Sequence, residues 1–271
     1  MPLDTRRVCG PVDETRALFD PRKAKEDRER QTVVDGKRQD GRTCEEIRKM
    51  FLRANAVTQA KGSAYIETGK TKVICSIYGP RESLRKQEFR MKGKLTCEIK
   101  YAPFSCKRRR SPIRDSEEKD LSNIIKQALE PAIIMEKFPK AQIDIYVMVF
   151  ENDGNVLAAA INCATLALVD AGIEMFDLVI ASSLVQTNTN TLMDPIYNEE
   201  NNQETTGLVT TAFLPVLNQI SVLNMDGELS LTQTNQAVKK CIEACARIYP
   251  VICHCITEHT KRIIKEPQQS S

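Results

Sequence analysis

The chain has 271 residues, 41% hydrophobic and 28% charged, with a net charge of only +3 and ten cysteines. That length suits one large or two modest domains, the composition is ordinary for a globular protein, and no apolar run approaches the ~20 residues of a membrane span. MPLDTRRVCG at the start holds no signal-peptide core, so the expected setting is cytosol or nucleus, with reduced thiols rather than a disulfide framework.

Residues 1–36 mix charges of both signs with few large apolar side chains, which predicts a flexible charged arm. Met50–Val57, Gly62–Thr68 and Lys72–Tyr78 read as three strands, the last ended by Gly79-Pro80. Lys94–Tyr101 alternates Leu95, Cys97, Ile99 and Tyr101 against polar residues, a half-exposed strand. Two basic loops bracket it: Arg85, Lys86, Arg90 and Lys92 before, and Lys107, Arg108, Arg109 and Arg110 after. Residues 81–114 carry 12 basic against three acidic side chains, while the remainder of the chain is net negative. Such loops, brought together at one end of a hairpin, would meet a phosphate backbone; as a plain solvated face they would do nothing.

Ser116–Met135 has a helical apolar face, ended or kinked at Pro131. Gln142–Phe150 reads as a strand apolar on both faces. After the turn at Gly154-Asn155 comes a helix, Val156–Val169, apolar almost all round and rich in alanine, which must be buried on most of its sides. A helix N-terminus after such a turn is a potential phosphate site. Asp170 closes that helix where the macrodipole disfavours it. Leu178–Leu184 is a strand, Gln186–Glu204 is polar, and Thr206–Leu214 and Gln219–Met225 are strands before a helix from about Leu231 to Ile264. Cys241, Cys245 and Cys255 fall at helical spacing, a core stripe rather than a metal knuckle, so no metal is expected. The two histidines, His254 and His259, lie in this last helix, and no nucleophile–histidine arrangement stands out.

Several short segments, in order along the chain, resemble the RNase PH family of phosphorolytic exoribonucleases and exosome ring subunits. They are Arg38-Gln39-Asp40-Gly41-Arg42, Gln59–Ala64, Tyr78–Glu82, Ala102-Pro103-Phe104-Ser105, Asp153-Gly154 with its alanine-rich helix, Asp170–Leu178, Leu192–Pro195 with Glu199-Glu200, and Leu214–Gln219. The resemblance implies an α+β RNase PH-like fold of mixed sheets packed with helices, over residues 37–265, followed by a polar tail at 266–271. Active members bind phosphate with a Gly-Ser/Thr-Arg turn and two arginines opening the preceding helix. Here those positions look like Asn155 and Val156, and Ser116 and Glu117. An amide and an isopropyl group are poor substitutes for a bidentate guanidinium. Asp170 and Asp177 are the vestigial catalytic candidates, against the simpler reading that both cap turns or pair with cations.

The resemblance therefore implies a non-catalytic ring subunit, without cofactor, lining a channel for single-stranded RNA in nucleus, nucleolus and cytoplasm. Other RNase PH-like subunits would be its partners, with exosome component seven in the ring dimer and component one, an S1/KH protein, as the cap contact. The rivals are an active phosphate-dependent exoribonuclease and an RNA-independent scaffold.

Overall fold

The computed structural model describes residues 33–265 except 35–36, 83–91, 108, 112, 114 and 189. The arm at 1–32, the tail, and Arg85, Lys86, Arg90 and Arg108 lie outside the described residues. A short ladder of β1 (Val33–Val34) and β2 (Lys37–Arg38) comes first. A five-stranded sheet then has the order β3-β4-β5-β7-β6: β3 Met50–Ala54, β4 Gly62–Thr68, β5 Thr71–Glu82, β7 Ala141–Glu151 and β6 Lys94–Tyr101. Helix α1, Ser116–Leu129, packs on β6. The four-stranded sheet runs β11-β10-β8-β9: Gln219–Gly227, Thr205–Leu214, Ile180–Thr187 and Thr191–Met193. Helix α3 is one turn, Tyr197–Glu200, and α4 spans Leu231–Lys265 with Pro250 inside it.

Helix α2, Val156–Asp170, lies between the two sheets, touching β4 and β5 on one side and β8 and β10 on the other. This is why it is apolar all round: every residue from Val156 to Leu168 is buried. Its two polar interruptions fasten it to the second sheet. Asn162 exchanges hydrogen bonds with Ala181, Nδ2 to the carbonyl at 2.9 Å and Oδ1 from the amide at 2.8 Å. Thr165 Oγ1 donates to the Val179 carbonyl at 2.8 Å. Small residues allow close approach: a Cβ on Gly62 in β4 would stand 2.2 Å from the Ala171 nitrogen.

Four expectations are corrected. Strand β5 does not end at Gly79-Pro80 but continues to Glu82, with an irregularity between Tyr78 and Arg81 in its pairing with β7. Proline is tolerated at such a bulge. Helix α1 ends at Leu129, and Ile133 instead bridges to Met175. The polar stretch 186–204 holds β9 and α3. Strand β6 pairs with β7 in parallel, not as a hairpin.

Candidate functional site

The turn 153–155 that opens α2 is clamped from three sides. Gly154 has φ +85°, and a Cβ there would lie 2.6 Å from the Ile196 carbonyl carbon and the Tyr197 nitrogen, so the segment before α3 rests on it. Arg48, between β2 and β3, donates to the Asp153 carbonyl at 3.0 Å and the Gly154 carbonyl at 3.3 Å. The same guanidinium grips Asp194 with two bonds, Nη2–Oδ1 at 2.7 Å and Nε–Oδ2 at 3.0 Å. Thr71 Oγ1 donates to the Gly154 carbonyl at 2.8 Å. Asn155 is the N-cap in a left-handed conformation, φ 55°, which asparagine tolerates better than most residues. Its Nδ2 donates to Asp194 Oδ1 at 2.7 Å, and its backbone N–H donates to Glu200 Oε1 at 2.7 Å.

An open cleft of about 610 Å³ lies in front of this N-terminus, and Asn155, Val156, Arg110, Glu117, Tyr197 and Glu200 are among its lining. Arg110 lies over the Tyr101 ring at 4.2 Å and pairs with Glu117 at 3.0 Å. Burial raises the Glu200 carboxyl to about 7; the Asn155 hydrogen bond and Arg48 work against it, and Asp194 and Asp153 add to it. Burial also pushes the Asp194 carboxyl up, but its bonds to Arg48 and Asn155 outweigh this and hold it below its ordinary value. Two of the donors at the cleft are thus engaged by acids: the Asn155 N–H holds Glu200 and Arg110 Nη2 holds Glu117, while Arg110 Nη1 has no hydrogen-bond partner.

The expected site residues separate into those the fold brings here and those it does not. Asn155, Val156 and Glu117 line the cleft, and Ser116 begins α1 but is not among the lining residues. Asp170 does not reach it. It ends α2, some 15 residues and about 22 Å from Asn155. There it accepts from the Ser63 amide at 2.8 Å and lies 2.9 Å from His259 Nε2, on α4. Asp177 caps a turn, accepting from Leu178, Val216 and Leu217 amides at 2.7, 2.7 and 3.2 Å. The carboxylates that bond to the turn are Asp194 and Glu200, which the sequence offered only as motif positions.

The basic residues divide as well. Lys107 is exposed, bonded to Asn198 Oδ1 and 4.9 Å above the Tyr197 ring. Arg110 belongs to the cleft, Arg109 is exposed, and Lys92 pairs loosely with Glu136 at 3.3 Å. The cysteine stripe does sit in the core side of α4: Cys241 and Cys245 are buried, and the Cys245 thiol donates to the Ile180 carbonyl at 3.4 Å.

Residues 46–174 match the model of the 3′ exoribonuclease family, domain 1, of the RNase PH type. Over 280 residues the chain is 36% identical to exosome complex component MTR3 of Mus musculus, covering 97% of each chain. The chain belongs to the RNase PH family. The Homo sapiens MTR3 component is 37% identical over 279 residues, with the same coverage of both. An archaeal relative, exosome complex component Rrp41 of Pyrococcus furiosus, is 36% identical over 238 residues, 87% of this chain and 94% of that one. Rice (Oryza sativa) Rrp46 shares the fold, with TM-score 0.71 at 24% identity over 81% of this chain and all of the other. So does the Archaeoglobus fulgidus exosome with RNA bound to the active site, at TM-score 0.71, 18% identity, and coverage of 80% and 92%. The RNase PH-like α+β fold expected from the motifs is the fold of this chain.

Proposed function

We propose that this chain is an MTR3-type, non-catalytic RNase PH-like subunit of an RNA exosome ring. It helps form the channel through which single-stranded RNA passes in 3′-to-5′ processing and degradation. The observation that carries the non-catalytic reading is the state of the α2 N-terminus. The Asn155 backbone N–H is taken by Glu200, the one arginine among the lining residues of the cleft is paired through Nη2 with Glu117, and the Val156 side chain offers no donor. Phosphorolysis brings two anions together and requires cationic donors free to receive them. Exosome component seven is the proposed ring dimer partner and component one the proposed cap contact, in nucleus, nucleolus and cytoplasm. The basic loops, including Arg85, Lys86, Arg90 and Lys92, are the proposed RNA contacts.

The test is incubation of the purified protein with RNA, magnesium and inorganic phosphate. No nucleoside diphosphate is expected. Phosphate-dependent release abolished by Asp194→Asn would overturn the non-catalytic reading. The proteins that co-purify with the native chain test the assembly reading separately.

A further inference from the structure

Beside the α2 N-terminus is a small, partly enclosed cavity of about 10 Å³. Ala244 and Ile248 of α4 and Met50 of β3 are among its apolar lining, and Thr68, Asn155 and Asp194 among its polar lining. Thr68 is 2% exposed and Asn155 9%, and neither Thr68 Oγ1 nor Asn155 Oδ1 has a hydrogen-bond partner. Two buried, unsatisfied oxygens on one small cavity are uncommon, because each would cost desolvation with no return.

The Asn155 amide cannot relieve this by turning over. Its Nδ2 donates to Asp194 Oδ1, and Asp194 is held as a carboxylate by Arg48. A reversed amide would set two acceptors against each other. Oδ1 is sealed from solvent, so the open cleft does not satisfy it. What the cavity can take is set by size and charge. About 10–15 Å³ of this measure accommodates one water molecule. The Asp194 charge is already matched by Arg48 at 2.7 Å, so a second cation finds no unpaired charge there.

The geometry points to a single resident water in this cavity, donating to Asn155 Oδ1 and bonded to Thr68 Oγ1. It would tie the end of β4 to the N-cap of α2 and give the Asn155 side chain both of its partners inside the protein. A consequence follows for the cleft: the residue where active relatives are expected to carry a phosphate-binding hydroxyl turns its side chain inward and offers the cleft only its backbone. Serine at this position could not reach Asp194 and the water together with one hydroxyl, whereas the two-ended amide does both.

The experiment is a crystal structure of the protein, alone or in its complex, at a resolution that shows ordered water, grown with and without added potassium. Expected is one peak about 2.7–3.2 Å from both Thr68 Oγ1 and Asn155 Oδ1, unchanged by the salt. A dry cavity, a reversed Asn155 amide, or a peak that strengthens with potassium would overturn the inference. In solution, the wild-type protein should show a nuclear Overhauser contact between long-lived water and the Thr68 methyl. Thr68→Val should abolish that water contact and shift the Asn155 side-chain amide resonance; a contact that persists in Thr68→Val also overturns it.

Discussion

Arg48 gives its guanidinium to Asp194 and to the carbonyls of Asp153 and Gly154, all buried or partly so. Removing it would leave Asp194, 4% exposed, as an unpaired buried charge. Arg48→Met should therefore cost about 3–5 kcal/mol in denaturant unfolding, and a loss below about 1 kcal/mol would mean that Asp194 finds another partner. Asp194 has a depressed value, so its contribution is present above its ordinary value of 3.8 and is lost as pH falls through the folded value. Glu200 has the opposite sign. Its folded value of about 7 lies above the ordinary 4.5, so the unfolded chain releases this proton first and stability falls as pH rises from about 4.5 to about 7. Glu200→Gln keeps an acceptor for the Asn155 N–H and removes that loss. The variant should gain on wild type by on the order of 1–3 kcal/mol between pH 5 and pH 8. Melting curves at the two pH values check this, and an unchanged difference between the proteins would sink the assignment.

Strand edges show how helices finish what the sheets leave open. The outer edge of β6 is closed by α1: the Ile99 amide donates to Ser122 Oγ at 3.0 Å and the Tyr101 amide to Glu118 Oε1 at 3.0 Å. Ser122→Val would strand the buried Ile99 N–H, costing about 1–3 kcal/mol. Hydrogen exchange at Ile99 should quicken accordingly, and an exchange rate equal to wild type would show that this bond contributes nothing. The elements most legible in the sequence were those whose pattern reports their surroundings. Helix α2 read as buried because nothing polar but Asn162 and Thr165 interrupts it, and it does lie between two sheets. Strand β6 read from alternation, which one buried face imposes. What stayed hidden depended on pairing partners. No local signal says that β6 runs parallel to β7. Nor does one say that Asp194 rather than Asp170 reaches the α2 turn, because that contact joins segments far apart in sequence.

At the scale of the whole molecule, charge and apolar surface point to different partners. Residues 81–114 hold the basic excess on a chain that is otherwise net negative. In a reconstituted ring, alanine at Arg85, Lys86, Arg90 and Lys92 should weaken single-stranded RNA binding and lower the salt slope by about 0.7 per lost contact, with sequence preference unchanged. Affinity and slope equal to wild type would remove this loop from the RNA path. Apolar surface concentrates elsewhere. Of the sheet edges among the described residues, β3 is covered by the Cys255 thiol on the Leu52 carbonyl at 3.6 Å. Strand β6 is closed by α1, and β9 is three residues long with the Met193 amide bonded to the Cys44 carbonyl at 2.9 Å. Strand β11 is the remaining edge of the two larger sheets, nine residues long, paired among the strands only with β10 and touched by α1. Ile220, Leu223 and Met225 are 42, 43 and 45% exposed along it, and Val216 and Leu217 in the preceding turn are 72 and 46% exposed. A long edge strand bearing apolar side chains is a template for pairing with another chain, and an apolar patch of this kind marks a protein interface. Lysine at Ile220, Leu223 and Met225 leaves the buried face of β11 intact and places charge where a neighbour would pack. The expected result has two parts, read by light scattering on size-exclusion fractions. The substituted chain should stay monomeric at concentrations where the wild-type chain self-associates, and its affinity for ring partners should fall at least about tenfold, the equivalent of 1.4 kcal/mol. A wild-type chain that is monomeric throughout, with a variant that still joins the ring, would place the assembly surface on another face.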